Sequence, residues 1–395
     1  MEWKTVTAEQ FCTKVTDGTH DSPKRQDVGR YLITSKHLSG SEIDFSSAYK
    51  ISEEDYQKII VRSNVEQYDI LFSMIGTIGN VYRETNPTVD YAVKNMAIFK
   101  FSGNKDDSSW FYYWLKSPQA QVYISQMQAG STQGYLTLAT LRCFPVAVPD
   151  PATRNSIVAI LSSLDDKIEN NNRINRNLEE QAQALFKSWF VDFEPWGGTM
   201  PDDWKEGTLE SITDKIASGG TPKSMNKQFY IGNIKWFSTK ELTDSFLIDS
   251  EKHISEDAYK NSATKMFPAG TVLMAIYAAP TVGRLGILLN EATFNQAAVG
   301  LIAKREIGKE YLYLLLKSER TKLNNLASGA AQQNLNVGIV KNYPIIVPHR
   351  SVSMDFQNIV KPLFDQIANN QQESHRLAAL RDTLLPKLMK GEITL

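Results

Sequence analysis

Residues 130–149 read GSTQGYLTLATLRCFPVAVP, and residues 329–348 read GAAQQNLNVGIVKNYPIIVP. Gly, Gln, Leu, Pro, Val and Pro recur at one offset of 199 residues without a gap. Followed outward, the correspondence continues with small insertions. Glu2-Trp3-Lys4 matches Asp203-Trp204-Lys205, and Gly18-Thr19 matches Gly220-Thr221. Ser35-Lys36-His37-Leu38 matches Thr239-Lys240-Glu241-Leu242, and Phe111-Tyr112 matches Leu312-Tyr313. A period of half the chain excludes a solenoid of short repeats. It predicts a pseudo-twofold molecule, the single-chain analogue of a symmetric dimer.

Each copy divides in two. Its first part mixes short β-type runs with turns, as in GRYLITSKHL, YDILFSMIGTIGNVY and GTVLMAIYAAPTVGRLGILL. A helix over SSWFYYWLKSPQAQVYISQM follows, and FPVAVP and YPIIVP read as edge strands closed by proline. The fold class is therefore α+β. Its second part carries a heptad seam with steps of four and three: Ile157, Leu161, Leu164, Ile168, Asn171, Asn175, Leu178, Ala182, Leu185 and Trp189. The same offset gives Phe356, Val360, Leu363, Ile367, Asn370, Ser374, Leu377, Arg381, Leu384 and Leu388. The 33 residues of such a helix span roughly 50 Å. Its narrow apolar stripe needs a partner, and the chain contains one.

The two polar central positions match in an antiparallel coiled coil and would match in a parallel one. Twofold packing favours antiparallel, and the alternative is two helices each packed on its own domain. Arg381 departs from the apolar pattern, with Leu380 beside it as a replacement. Pro362 is expected to start or kink the second helix, and Pro386 to mark its end. The expected layout is one domain over 1–150, a helix over 151–195, a second domain over 196–350 and a second helix over 351–395.

Chemistry-bearing motifs are missing. GGTPKS lacks phosphate-loop spacing, Asn86-Pro87 is followed by Thr88-Val89 rather than by a base-methylating tetrapeptide, and no GxSxG occurs. The five histidines never fall at HxH or HxxxH spacing, so no metal or other cofactor is expected. Two distant cysteines, no long apolar run and no leader-like start predict a cytoplasmic protein without a membrane partner. The net charge of −1 gives no direct sign of a nucleic-acid partner, although residues 196–350 carry a basic excess.

Two diverged α+β domains alternating with two similar long helices, one ending LFKSWFVDFEP and the other LLPKLMKGEI, carry a resemblance. So do the domain openings DGTHDSPK and SGGTPKS. The whole chain resembles the specificity subunit of type I restriction–modification systems. The resemblance implies two target-recognition domains, each reading one half of a split, asymmetric site in double-stranded DNA. It implies that the paired helices set the spacer and dock methyltransferase (modification) subunits, two of them. Those partners would carry the S-adenosylmethionine chemistry, with a motor–nuclease (restriction) subunit completing the complex, so this chain would not itself be an enzyme. The alternative is a coiled-coil scaffold with two protein-binding heads and no DNA.

Within that frame, Thr19, Lys24, Thr221 and Lys223 are candidates to hold phosphate, because neighbouring glycines allow close approach and free N–H groups bind anions. Gln133, Tyr135, Gln332, Gln333 and Asn334 lie just before the terminal strands, where amides can meet an adenine edge and an aromatic ring can pack on a sugar or methyl. Lys36 and Lys240 follow β-type runs and are further phosphate candidates, as are Tyr277 and Arg284 near PTVG. Trp189, Phe190 and Phe193 are candidate anchors for a partner subunit; packing on their own domain is the alternative. Tight turns and uninvolved polar loops remain the alternatives for the other residues.

Overall fold

The computed structural model describes residues 3–39, 42–129, 134–277, 281–328 and 334–393. The chain divides into two compact units, Met1–Asp166 with Leu377–Leu395, and Lys167–Arg376. The division falls within two long helices, Pro151–Phe190 and Arg350–Met389, each of 40 residues. Both ends of the second helix follow those of the first by the same 199 residues as the opening repeat.

Asp150 caps the first helix. Its carboxylate accepts from the Thr153 N–H at 3.0 Å and from the Thr153 hydroxyl at 2.7 Å, with Pro151 in the first turn, where a missing N–H costs nothing. At the second helix His349 takes the capping position, its Nδ1 accepting from the Ser351 N–H at 3.3 Å. That helix therefore starts well before Pro362 and runs through it. Pro362 and Asn358, whose carbonyl loses its helical donor to the proline, are both exposed, so water can satisfy the freed oxygen. Pro386 lies in the last turn, which closes at Gly391 in the left-handed region (φ 68°).

The seam pairs antiparallel in each unit. In the first, Ile157 and Leu161 pack with Leu385, Leu388 and Met389. In the second, Ala182 and Phe186 pack with Phe356, Val360, Phe364 and Ile367. The buried polar centre belongs to the second unit: Asn370 Nδ2 donates to Asn175 Oδ1 at 2.8 Å, and Asn171 Nδ2 donates to Glu373 Oε2 at 2.8 Å and Ser374 Oγ at 3.3 Å. Arg381 keeps its seam position because Asp165 accepts from its Nη1 at 2.6 Å. Leu380 does not replace it and is 47% exposed. Replacing Asn370 by Ala should leave the buried Asn175 oxygen without its donor and cost about 1–3 kcal/mol. The Asn175→Leu/Asn370→Leu double variant should recover stability while loosening register. Urea denaturation of both variants checks this.

The two α+β parts share one plan. In the first unit an antiparallel sheet runs in the order Lys14–Asp17, Met96–Lys100, Ile70–Ser73, Val81–Arg83. In the second the order is Thr213–Ser218, Ala298–Ala303, Val272–Ala275, Leu285–Leu288, and Ser245–Leu247 adds a fifth, parallel strand. A three-stranded sheet accompanies each: Tyr49–Ile51, Arg30–Ile33, Tyr91–Val93 in one and Lys252–Ile254, Ile234–Phe237, Thr293–Phe294 in the other. The proline-closed strands Pro145–Val148 and Pro344–Val347 pair with Lys4–Thr7 and Lys205–Thr208.

The helix expected over 108–127 is two, Lys105–Lys116 and Pro118–Ala129. Pro118 forces Ser117 into an extended conformation (ψ 152°), which ends the first. This first helix buries Trp110, Phe111 and Tyr113 against the sheet. It is fixed to the terminal strand by Trp110 Nε1–H to Ala147 O at 3.0 Å and Trp114 Nε1–H to Pro145 O at 2.8 Å.

Candidate DNA-recognition surfaces

In the first unit, the strand Lys14–Asp17 ends at Gly18, which comes so close to the neighbouring sheet that a Cβ would lie 2.2 Å from Val93 O. In the second, a Cβ on Gly219 would lie 2.1 Å from Phe294 O. The glycines thus serve the packing of each domain on itself. Their amides are also occupied: Gly18 N–H donates to Met96 O at 2.9 Å and Thr19 N–H to Val93 O at 3.0 Å, while Gly219 donates to Ala298 O and Gly220 to Phe294 O. The expected cradle of free N–H groups is not formed by these four residues.

Strand register also corrects the alignment of this turn. Asp17 faces Ala97 and Ser218 faces Val299, and these partners occupy equivalent places beside Phe72 and Met274. Gly18 therefore corresponds to Gly219, Thr19 to Gly220 and His20 to Thr221, one residue away from the match that letters alone give.

Thr19 is half-buried and its hydroxyl accepts from the Asp21 N–H at 3.1 Å. Lys24, Lys36 and Lys223 are exposed. Lys36 and Lys240 occupy the same 3-10 turn in the two domains, Ser35–His37 and Thr239–Glu241. Lys240 forms an exposed ion pair with Glu251. Arg284 is half-buried, its amide donating to Thr281 O at 3.0 Å.

The loop before each terminal strand is pinned to the loop after a central strand. Leu136 N–H donates to Met74 O at 2.9 Å, and Leu335 N–H donates to Ile276 O at 2.9 Å. This brings Tyr135 beside Ile75, with which it forms a β-bridge; in the second unit Asn334 and Tyr277 are the residues next to the two partners of the corresponding hydrogen bond. Tyr135 and Tyr277 are each 37% exposed, enough to offer a ring face. Gln133, Gln332 and Gln333 lie outside the described residues.

In the first unit, Asp17, His20, Met74, Ile75, Asn95, Tyr135, Thr137 and Leu138 line a cleft of about 410 Å³. Asp17 and His20 lie within the DGTHDSPK opening, but Asn95 is 75 residues away from His20 and no local pattern joins it to them. They meet because Asn95 N–H donates to Thr19 O at 3.1 Å. His20 Nε2 then lies 2.9 Å from Asp17 Oδ2 and Nδ1 lies 2.9 Å from Asn95 Oδ1, while Arg62 pairs with the other Asp17 oxygen.

The aromatic end of the first long helix packs on its own unit. Phe190 contacts Tyr311 (4.9 Å between ring centres), Phe356 (4.8 Å) and Trp204 (5.7 Å); Trp189 contacts Phe356, and Phe193 contacts Trp204. All three rings stay half-exposed. Among the described residues no group of three or more His, Cys, Asp or Glu side chains is arranged to hold a metal ion. No described helix is long and apolar enough to cross a membrane.

A duplicated α+β domain alternating with antiparallel helices defines an architecture shared with known proteins. The family model for the type I restriction modification DNA specificity domain matches residues 1–180 and again residues 201–380, and the chain belongs to that family. It is similar to the type I restriction enzyme MjaIX specificity subunit of Methanocaldococcus jannaschii, 29% identical over 307 residues that cover 72% of this chain and 69% of that protein. It is also similar to the HindI specificity subunit of Haemophilus influenzae, 27% identical over 403 residues, covering 83% and 87%. The S subunit of a type I restriction-modification system from M. genitalium has the same fold, with a TM-score of 0.58 and 18% identity over 98% of this chain and 96% of that one. None of these similarities favours a scaffold that does without DNA.

Proposed function

We propose that residues 1–150 and 196–350 are two reading domains, each taking one half of a split, asymmetric site in double-stranded DNA. The paired helices set the spacer between the halves and dock two methyltransferase subunits, with the half-exposed Trp189, Phe190 and Phe193 as part of one docking surface. Methylation, ATP-driven translocation and cleavage belong to the partner subunits in the cytoplasm, and this chain is not catalytic. The observation that carries this reading is the repeat itself: equal scaffolds, unequal loops and two helices of equal length. A gel shift with the methyltransferase partner tests it. Binding should weaken steeply as salt rises, because phosphate contacts release counterions; salt-insensitive or absent DNA binding would leave the scaffold reading.

Phosphate contacts are assigned to Thr19, Lys24, Lys36, Lys223, Lys240, Tyr277 and Arg284, and to Thr221 through its backbone N–H, since its hydroxyl donates to Gln296. Contacts to bases and sugars are assigned to Gln133, Tyr135, Gln332, Gln333 and Asn334. Alanine at Gln332, Gln333 and Asn334 together should relax one position of the second half-site, at about 1–3 kcal/mol for a lost bidentate contact. Lys240→Ala should weaken all sequences alike and lower the salt slope by about 1. Binding titrations on matched and mismatched duplexes separate the two effects.

A further inference from the structure

The corrected register brings out a pair of side chains that recurs. His20 contacts Asn95 in the first unit, and at an offset of 201 residues for both partners Thr221 contacts Gln296 in the second. Sequence alignment at the turn hid this, because it set Thr221 against Thr19.

Two carboxamides thus stand at one position, the second residue after the strands Tyr91–Val93 and Thr293–Phe294. Backbone geometry does not explain both. Asn95 occupies the left-handed region (φ 55°), which favours Asn, but Gln296 does not. What recurs is the amide, each time held by a neighbour from the glycine turn: the Thr221 hydroxyl donates to Gln296 Oε1, and His20 Nδ1 lies 2.9 Å from Asn95 Oδ1. That neighbour fixes the amide plane, and in Gln296 it uses one lone pair of the oxygen. One acceptor site and two N–H donors remain. The surface is open on this side: the His20 side chain is 62% exposed, against 7% for Asp17 beneath it. In the first unit Tyr135 and Ile75 line the same cleft.

An acceptor beside a donor matches the major-groove edge of adenine, which offers N7 and the N6 amino group; guanine offers two acceptors and sets its O6 against the amide oxygen. We propose that Asn95 and Gln296 each read one adenine, the first in one half-site and the second in the other. His20 and Thr221 are positioning residues for these amides. The inference rests on the proposal that each domain reads one half-site.

The test is methylation mapping in DNA from cells carrying the complete system with single variants of the full chain. Asn95→Ala should lower discrimination at one adenine position of one half-site by about tenfold to a hundredfold, leaving the other half and the spacer unchanged. Gln296→Ala should do the same in the opposite half. Because alanine is strained at the left-handed Asn95, Asn95→Asp provides the second variant. It keeps the backbone preference and an oxygen but loses the donors, so preference should move from adenine toward cytosine. A first half-site unchanged in Asn95→Asp, or a Gln296→Ala variant that retains its full specificity, overturns the assignment. If replacing the whole of residues 200–350 still changes one half-site, the reading-domain proposal survives that failure; if the exchange changes neither half, that proposal fails too.

Discussion

Replacing residues 200–350 with the equivalent region of a relative should rewrite one half of the recognised site, while the other half and the spacer stay as they were. Gly219 to Ala298, Gly220 to Phe294, Thr221 to Gln296, Leu335 to Ile276 and Lys240 to Glu251 all join residues within 200–350, so these parts of the reading surface move together. The graft must preserve its seat on the helices. Tyr311 packs on Phe186 and Phe190, and the Tyr313 hydroxyl donates to Glu179 Oε1 at 3.0 Å and to Asp244 O at 2.9 Å. Truncating a buried aromatic of this kind costs about 3–5 kcal/mol. A donor with aromatic residues at positions 204, 311 and 313 should therefore fold, and one without them should not. Methylation mapping reports the outcome. A change in both halves, or in the gap, is incompatible with separable readers.

Inserting seven residues into each long helix, at facing positions beside the Asn175–Asn370 contact, should lengthen the preferred spacer by about three base pairs. Seven residues add about 10 Å to a helix, and one base pair rises about 3.4 Å. Seven also preserves heptad phase, so Asn370 can still reach Asn175 on one side of the insertion and the apolar seam continues on the other. A four-residue insertion adds about 6 Å, or one to two base pairs, but shifts the seam by a partial heptad and should lower stability. The bases read should not change in either case, since no recognition loop is touched. An active variant that retains the original spacing would reduce the helices to docking surfaces.

Much of this molecule is written in local, periodic form. The offset of 199 residues announced the duplication, and the two 40-residue helices keep it at both ends. The four-three spacing marked the seam, because helical period alone decides which side chains share a face. The polar centre at Asn171, Asn175, Asn370 and Ser374 was legible for the same reason, as was an antiparallel order from twofold symmetry.

Other features depend on partners that no local pattern names. Pro362 sits inside a helix because the carbonyl it strands faces water. Arg381 belongs to an apolar seam because Asp165, far away in sequence, meets it. The glycines of the two turns answer to strand carbonyls at Val93 and Phe294. The amide pair at Asn95 and Gln296 became visible when strand register showed which residues are equivalent. Sequence by itself determined the repeat, the helices and their pairing, since these follow from periodicity along the chain. Only tertiary structure decided the register of the turns and the side chains that meet across them, since those contacts join residues tens of positions apart.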